Sequence, residues 1–149
     1  RKCIKMVNLS EYKEYCGELM ELIGADQLVM VVQEEHLKKR LRDSGGVILA
    51  AVYPSVGSTG SEDSMGDNNT VLLFVLEYSG KVSTSPEDEF GSYERLQVMV
   101  GKIRERLIED ADRGSVLLRC LDRVSIEIEP EWNIAGAYNG WSVAFSFER

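Results

Sequence analysis

Residue types that commonly carry out catalysis are few in this chain and stand apart. The sequence holds one histidine, His36, and three cysteines, Cys3, Cys16 and Cys120. A histidine can serve as a general base, but no serine or cysteine elbow motif accompanies His36, and the cysteines have no Cys-x-x-Cys spacing. We therefore expect a surface histidine, small buried and unreactive side chains at Cys16 and Cys120, and neither a disulfide framework nor a zinc site.

The glycine-rich residues 57–61 are the next candidate for chemistry, because they follow a predicted strand as phosphate-binding loops do. This segment lacks the lysine of a P-loop, opens no helix and lies beside Glu62, Asp63 and Asp67, whose charges repel phosphate. The three acids offer oxygen ligands to a cation, yet they have neither the alternating spacing nor the final glutamate of a calcium loop. The sequence thus predicts no cofactor and no metal, and it favours a protein that is not an enzyme.

Charge is distributed unevenly along the 149 residues. Residues 51–100 contain two basic and eight acidic residues, so they hold −6 of the net charge of −8. Such a surface repels phosphate backbones, which argues against nucleic-acid binding. One short basic cluster consists of Lys38, Lys39, Arg40 and Arg42, and because acids flank it we interpret it as a solvated helix face.

Length and composition indicate one folded domain over residues 1–149. Hydrophobic residues make up 44% of the chain and charged residues 28%, which is ordinary for a globular protein with its own core. No apolar run approaches the ~20 residues that a membrane helix requires, and no apolar segment of a signal peptide follows the basic first residues. We therefore expect no membrane contact and a cytoplasmic location.

The first predicted helix is marked at both ends. Asn8 is placed to cap it, with Glu11 three residues later, and Gly24 is a natural stop. Its apolar side chains follow steps of three and four residues: Tyr12, Cys16, Leu19, Met20 and Ile23.

The second predicted helix begins at Ser85, with Pro86 in the first helical position and acids in the first turn. Gly91 and Ser92 leave open an interruption, with a new start at Ser92. An apolar stripe then continues to the Arg113-Gly114 pair that ends the helix: Leu96, Val100, Ile103, Leu107 and Ala111.

Two apolar runs, residues 47–53 and 71–76, predict a hairpin of buried strands, with Pro54 ending the first strand. Residues 55–70 between them are polar and rich in glycine. They cannot bury enough apolar surface to offset the entropy of ordering them, so we predict a mobile, acidic excursion.

A second hairpin is predicted at the end of the chain. Residues 124–128 and 141–147 alternate between apolar and polar side chains, as strands with one wet face do. Pro130 is expected to end the first of these strands, and Asn139-Gly140 supplies turn chemistry before the second.

Residues 27–42 allow two interpretations. We prefer a short strand at residues 27–32 followed by a short helix that ends before Gly45, but one continuous helix is the alternative. The order of elements predicts an α+β fold, a two-layer sandwich in which a mainly antiparallel sheet of two hairpins carries helices on one face.

Aromatic side chains near the C-terminus have two interpretations as well. Trp132, Tyr138 and Trp141 surround residues 133–140, where they either pack the end of the sheet or form a recognition patch. We favour packing. The residues that we propose for contact with a protein partner are Glu62, Asp63, Asp67, Trp132 and Tyr138.

The order of elements resembles the tail-terminator and tail-completion proteins of bacteriophages and of related contractile injection particles. The similar parts are the strand at residues 47–53, its acidic loop, the strand at 71–76, the helix near 92–112 and the closing strand at 141–147. The resemblance implies a subunit without catalysis that forms a ring, commonly a hexamer, which caps a tail tube and joins it to a head or baseplate.

The leading hypothesis is therefore a structural assembly protein of a phage-like tail, a homo-oligomer that acts through protein contacts in the cytoplasm or within an assembled virion. A small regulatory or adaptor domain that binds one protein through its aromatic C-terminal connection is the second. The third is an enzyme of unrecognised type, in which acids of residues 55–70 meet His36 in a cleft.

Overall fold

The computed structural model describes residues 6–41, 45–61, 64–79 and 85–148, with the backbone alone described at residues 59–61, 64–67 and 148. In chain order the elements are α1 (Leu9–Ile23), β1 (Gln27–Val31), a 3₁₀ turn (Glu34–His36), α2 (Leu37–Arg40), β2 (Val47–Ser61), β3 (Ser64–Tyr78), α3 (Pro86–Asp112), β4 (Leu121–Ile134) and β5 (Tyr138–Glu148). The strand and helix at residues 27–40 exclude the continuous-helix alternative.

One five-stranded sheet with the order β1-β2-β3-β5-β4 forms the centre of the molecule. β1 pairs with β2 in parallel, and every other pair is antiparallel. The two predicted hairpins are therefore present, and β3 pairs with β5 to join them. The α+β prediction with a mainly antiparallel sheet is confirmed.

The long helices α1 and α3 pack on one side of the sheet, which we call the first face. Both begin as predicted: the Asn8 side chain accepts from the Glu11 amide at 3.1 Å, and the Ser85 hydroxyl accepts from the Asp88 amide at 3.1 Å. α3 is continuous, so the interruption that we left open does not occur. The core of this layer combines strand residues with the predicted helix stripes: Val47, Leu49, Val71, Leu73, Val75, Val143, Phe145 and Phe147 with Cys16, Leu19, Leu96, Val100, Ile103 and Leu107.

The short helix α2 lies on the opposite side of the sheet, which we call the second face. Leu37 of α2 and Leu41, directly after α2, are buried against Ile48 and Phe74. Ile48 and Phe74 alternate along β2 and β3 with residues whose side chains lie on the first face. The expectation of helices on one face is thus wrong for α2. The crossover from β1 to the parallel β2 passes over the second face, and Leu37 and Leu41 cover part of it.

Strands β2 and β3 are much longer than predicted, because residues 55–61 and 64–70 pair with one another as an extension of the hairpin. The loop interpretation is wrong for these residues. Pro54 does not end β2 because the register shifts between Val52 and Ser55, and an irregularity of this kind tolerates a residue without an N–H group. The Tyr12 hydroxyl donates to the Val52 carbonyl at 2.7 Å beside this shift.

Strand β4 also continues through its proline, Pro130, on the edge of the sheet, where a missing donor is tolerated. The expected alternation fails at its start: the register shifts between Asp122 and Glu127, and Val124 is 92% exposed. Ile126 and Ile128 do pack against the first-face core, as the pattern predicts.

The Asn139-Gly140 pair is not a turn, because both residues lie within β5. Gly140 pairs with Leu76, and a Cβ atom at this position would collide with the Val75 carbonyl. Glycine therefore permits close approach of β3 and β5 here. The turn is formed instead by residues 135–137, with Gly136 at φ 83°.

No helix within the described parts of the chain is long and apolar enough to cross a membrane.

Replacing Phe145 by alanine is expected to lower the free energy of unfolding by about 3–5 kcal/mol, because the side chain is buried and stacks with Phe147 at 6.2 Å. The matched control is Ser146→Ala, which removes a hydroxyl from the other face of the strand and should change stability by no more than about 0.5 kcal/mol. Equal losses for both variants in denaturant titrations would contradict this assignment of faces.

Mobility of residues 55–70 stays a prediction. The strand pairing adds that mobility should increase along the hairpin extension, away from the part that β5 flanks. Asn69 and Thr70 lie between β2 and β5, whereas residues 64–67 pair with β2 alone. Amide exchange is therefore expected to accelerate along β3 from Thr70 towards Ser64. Hydrogen exchange followed by mass spectrometry measures this directly, and uniformly slow exchange over the segment would refute it.

Candidate functional site

A cleft of about 320 Å³ opens where the end of β3, the first turns of α3 and the β4–β5 turn meet. We call it the α3 cleft. Its lining residues come from segments far apart in sequence: Glu77, Tyr78, Ser79, Asp88, Glu89, Ser92, Arg95, Trp132, Asn133, Gly136 and Asn139. The cleft therefore exists only in the folded chain.

An ion pair joins the strand and the helix at one wall of the α3 cleft. The Arg95 guanidinium donates to both carboxylate oxygens of Glu77, at 2.7 and 3.1 Å, and the Ser92 hydroxyl donates to the same carboxylate at 2.7 Å. Burial alone would raise the pKa of Glu77, but the hydrogen bonds from Arg95 and Ser92 and the charge of Arg95 outweigh it and hold the pKa below its usual value. Glu77 is thus a fixed carboxylate rather than a proton donor at neutral pH.

The β4–β5 turn forms the other wall and contains unusual backbone. Asn133 and Ala135 have φ values of 58° and 53°, a region that side chains other than glycine and asparagine seldom adopt. The Asn139 side chain accepts from the Asn133 amide at 2.8 Å and so holds this geometry. Beside it, the indole of Trp132 is 71% exposed.

Chemically, the cleft offers carboxylates and an indole to a ligand. Asp88 and Glu89 add two negative charges, whereas Arg95 is engaged with Glu77. An exposed indole with nearby carboxylates suits a cationic side chain. The described lining residues include neither a histidine nor a cysteine.

The three aromatic residues that we predicted near this end of the sheet are separated by the fold. Trp141 packs edge-on against Tyr93 at 6.2 Å and donates its indole N–H to the Tyr93 carbonyl at 2.9 Å. Tyr138 is only 3% exposed and lies 5.4 Å from the Tyr78 ring. Packing is therefore confirmed for Trp141 and Tyr138, and Trp132 alone of the three presents its ring to solvent.

The remaining candidate residues lie away from the cleft. His36 ends the 3₁₀ turn and is partly buried, with its Nδ1 atom enclosed, so the expectation of a surface histidine is corrected. Cys16 is fully buried, and this burial raises the pKa of its thiol to about 12, although its hydrogen bond with Tyr12 acts in the opposite direction. Such a thiol is not a nucleophile at neutral pH. Cys120 is disulfide-bonded, so the expectation of no disulfide is wrong for this residue.

Glu62 and Asp63 lie outside the described residues, and only the backbone of Asp67 is described, paired with Ser58. Within the described ranges, no group of three or more His, Cys, Asp and Glu side chains is placed to hold a metal ion.

Two further grooves include residues of the two edge strands, β1 and β4. The β1 groove runs along the outer side of β1, and its lining residues are Leu9, Ser10, Lys13, Leu28, Val29, Met30, Arg40 and Tyr53. The β4 groove lies on the second face across β3, β5 and β4, and its lining residues are Glu34, Leu72, Phe74, Glu127, Glu129, Glu131, Ser142 and Ala144. Neither groove was predicted, because their residues are adjacent only across strands.

Replacing Glu77 by glutamine is expected to destabilise the protein by about 1 kcal/mol at pH 7, a modest value because the Arg95 side chain is half exposed and solvent screens the pair. The folded-state pKa of Glu77 is lowered, so its contribution is present above the unfolded-state pKa and is lost as pH falls through the folded-state pKa.

The difference between wild type and Glu77→Gln should therefore disappear on acidification, which urea titrations at neutral and acidic pH measure. Arg95→Lys serves as the matched variant, since it keeps the charge and loses the two-pronged contact. A difference that persists unchanged at low pH would show that Glu77 acts through its shape alone.

The sequence matches no protein-family model and no curated protein. The resemblance to tail-terminator proteins therefore stays a prediction from the order of helices and strands.

Proposed function

We propose that this protein is a structural assembly subunit of a phage-like tail or contractile injection particle, which acts by forming rings and by protein contacts. The observation that carries the proposal is the open sheet. In the described residues β1 pairs only with β2, and β4 pairs only with β5, so neither edge strand has a strand partner on its outer side. Free edges of this kind are templates for pairing with another chain.

The long β2–β3 hairpin supports the same proposal. Beyond the pair of Gly57 with Asn68, its strands continue to the pair of Ser61 with Ser64, and among the described residues β5 does not pair with this part of the hairpin. A two-stranded ribbon has little core of its own and is marginally stable in water. A neighbouring subunit that packs against the ribbon would add the missing contacts, and the acidic composition of this segment favours a basic surface on the neighbour.

A specific observation favours a second function, that of an adaptor domain. Trp132 projects into solvent at the mouth of the α3 cleft, beside Asp88 and Glu89. Tryptophan is enriched among the residues that dominate protein interfaces. A peptide with a basic side chain would fit this arrangement. The enzyme alternative has no comparable support, since His36 lines neither the α3 cleft nor the two edge grooves.

Light scattering combined with negative-stain imaging of the purified protein tests the assembly proposal. We expect particles of several subunits, with rings in the images. A protein that stays monomeric at every concentration and salt level tested would refute ring formation.

Neutralising Glu62, Asp63 and Asp67 together is expected to leave the fold intact and to weaken assembly, most clearly at low salt, where the Debye length is long. His36→Ala is the matched control and should assemble like wild type, because the proposal gives it no role. If His36→Ala abolishes the biological activity while the triple variant behaves like wild type, the enzyme alternative replaces the assembly proposal. Particle assembly followed by light scattering provides the measurement.

A further inference from the structure

We propose that the β1 groove of one copy binds the β4 side of the next copy, so that subunits associate head to tail through oppositely charged edges of the sheet. This contact rests on the proposed function and names the surfaces by which it would operate. Its occupant is a second copy of this chain.

The two grooves carry opposite charge. Lys13 and Arg40 line the β1 groove, and none of its described lining residues is acidic. The β4 groove has four glutamates, and none of its described lining residues is basic. Each chain therefore carries both halves of a complementary pair, at opposite ends of one sheet.

Most of the charged groups in the two grooves have no ion-pair partner in the part of the chain that the structure describes. Among the described residues, Lys13, Arg40, Glu127 and Glu129 form no ion pair, and all four are exposed. Glu131 differs, because it accepts a hydrogen bond from the Ser142 hydroxyl at 2.8 Å. Association would consequently create ion pairs without breaking existing ones.

The orientation of the groups agrees with a sheet that continues from one copy to the next. Continuation keeps each face of the sheet on the same side, so Arg40 of α2 would lie on the same face as the glutamates of β4, whereas Lys13 belongs to α1 on the first face. Strand directions are compatible with an antiparallel contact between copies. β1 is parallel to β2, and three antiparallel pairings separate β2 from β4, so β4 runs antiparallel to β1. In a sheet that continues, β4 of the next copy would therefore lie antiparallel to β1.

The lengths of the two edge segments and the exposed apolar side chains beside them fit the same contact. β1 has five residues, and Glu127 to Glu131 is a stretch of the same length, roughly 17 Å of extended chain. Leu9 and Tyr53, which line the β1 groove, are 52% and 40% exposed, so apolar surface is present beside the charges. Pro130 has no N–H to donate, so side chains carry the contact rather than a complete ladder.

A contact between two different surfaces of the same chain is heterologous and produces rings when the rotation closes. Two surfaces that were each complementary to themselves would produce dimers instead. The opposite charges of the two grooves exclude pairing of like with like and so favour the head-to-tail arrangement.

Charge reversal tests the contact. The first variant is Lys13→Glu with Arg40→Glu, and the second is Glu127→Lys with Glu129→Lys. The first variant alone has two acidic grooves. In the second variant the two introduced lysines offset the two remaining glutamates of the β4 groove, so the attraction between the grooves is lost in each variant. We expect the apparent Kd of self-association to rise about a hundredfold in sedimentation velocity at low salt. In a 1:1 mixture, the glutamates introduced in the first variant face the lysines introduced in the second, and the unchanged grooves of the two variants face each other with their native charges. We therefore expect assemblies of wild-type size to return.

Matched controls change the same number of charges on the exposed side of α3, as Lys102→Glu with Arg104→Glu and as Glu94→Lys with Glu105→Lys. These variants should assemble like wild type, and circular dichroism of every variant should show the wild-type fold. The effect should also shrink at high salt, where exposed charges are screened.

The outcomes separate the two proposals. If wild type assembles and either groove variant assembles equally well, the head-to-tail contact is wrong and the assembly function stands. If the groove variants fall apart but their mixture does not recover, direct pairing of the two grooves is likewise refuted. If wild type is monomeric throughout, both the contact and ring formation are refuted.

Discussion

The pairing of β3 with β5 is the interaction on which the rest of the structure depends. It joins the β2–β3 hairpin to the β4–β5 hairpin over eleven residue pairs, from Asn68 to Tyr78. β3 is buried from both sides here, with Leu73 in the first-face core and Phe74 in the second-face core. Gly140 is required at this seam because a Cβ atom would meet the Val75 carbonyl. Without this pairing, two hairpins would remain, and neither has enough core to persist alone.

The same seam also creates the α3 cleft. Because β3 and β4 run in the same direction with β5 between them, the chain must cross over the sheet, and α3 makes this crossing on the first face. The crossing brings Ser92 and Arg95 to Glu77 at the end of β3, and it brings the Tyr93 hydroxyl within 2.6 Å of the Glu131 carbonyl on β4. The cleft wall is thus a consequence of topology and contributes to holding the helix on the sheet.

The open sheet is the reason why we propose association as the function. The central strands have partners on both sides, but β1 and β4 do not among the described residues, and a protein commonly protects such edges with charge, proline or short strands. This chain does all three, with a five-residue β1, Pro130 on β4 and charged side chains in both edge grooves. Such protection permits a specific partner of opposite charge and excludes indiscriminate pairing. The same charges, proline and short strand that prevent unspecific pairing therefore also leave these edges open to a selected partner.

By itself, the sequence determined the features that depend on neighbours close in the chain. The caps at Asn8 and Ser85 follow from residue types close together in the chain, and the apolar stripe of α3, the two hairpins and the α+β class follow from short-range periodicity. Tertiary structure decided where strands end and which faces are covered. Pro54 lies inside a strand because the register is irregular there, and Pro130 because it is on the edge of the sheet. Asn139-Gly140 lies in a strand because the backbone of β3 comes close to Gly140. The α3 cleft and the opposite charges of the two edges arise in the same way. They join residues that are distant in sequence, and such contacts are set by packing, which no local pattern encodes.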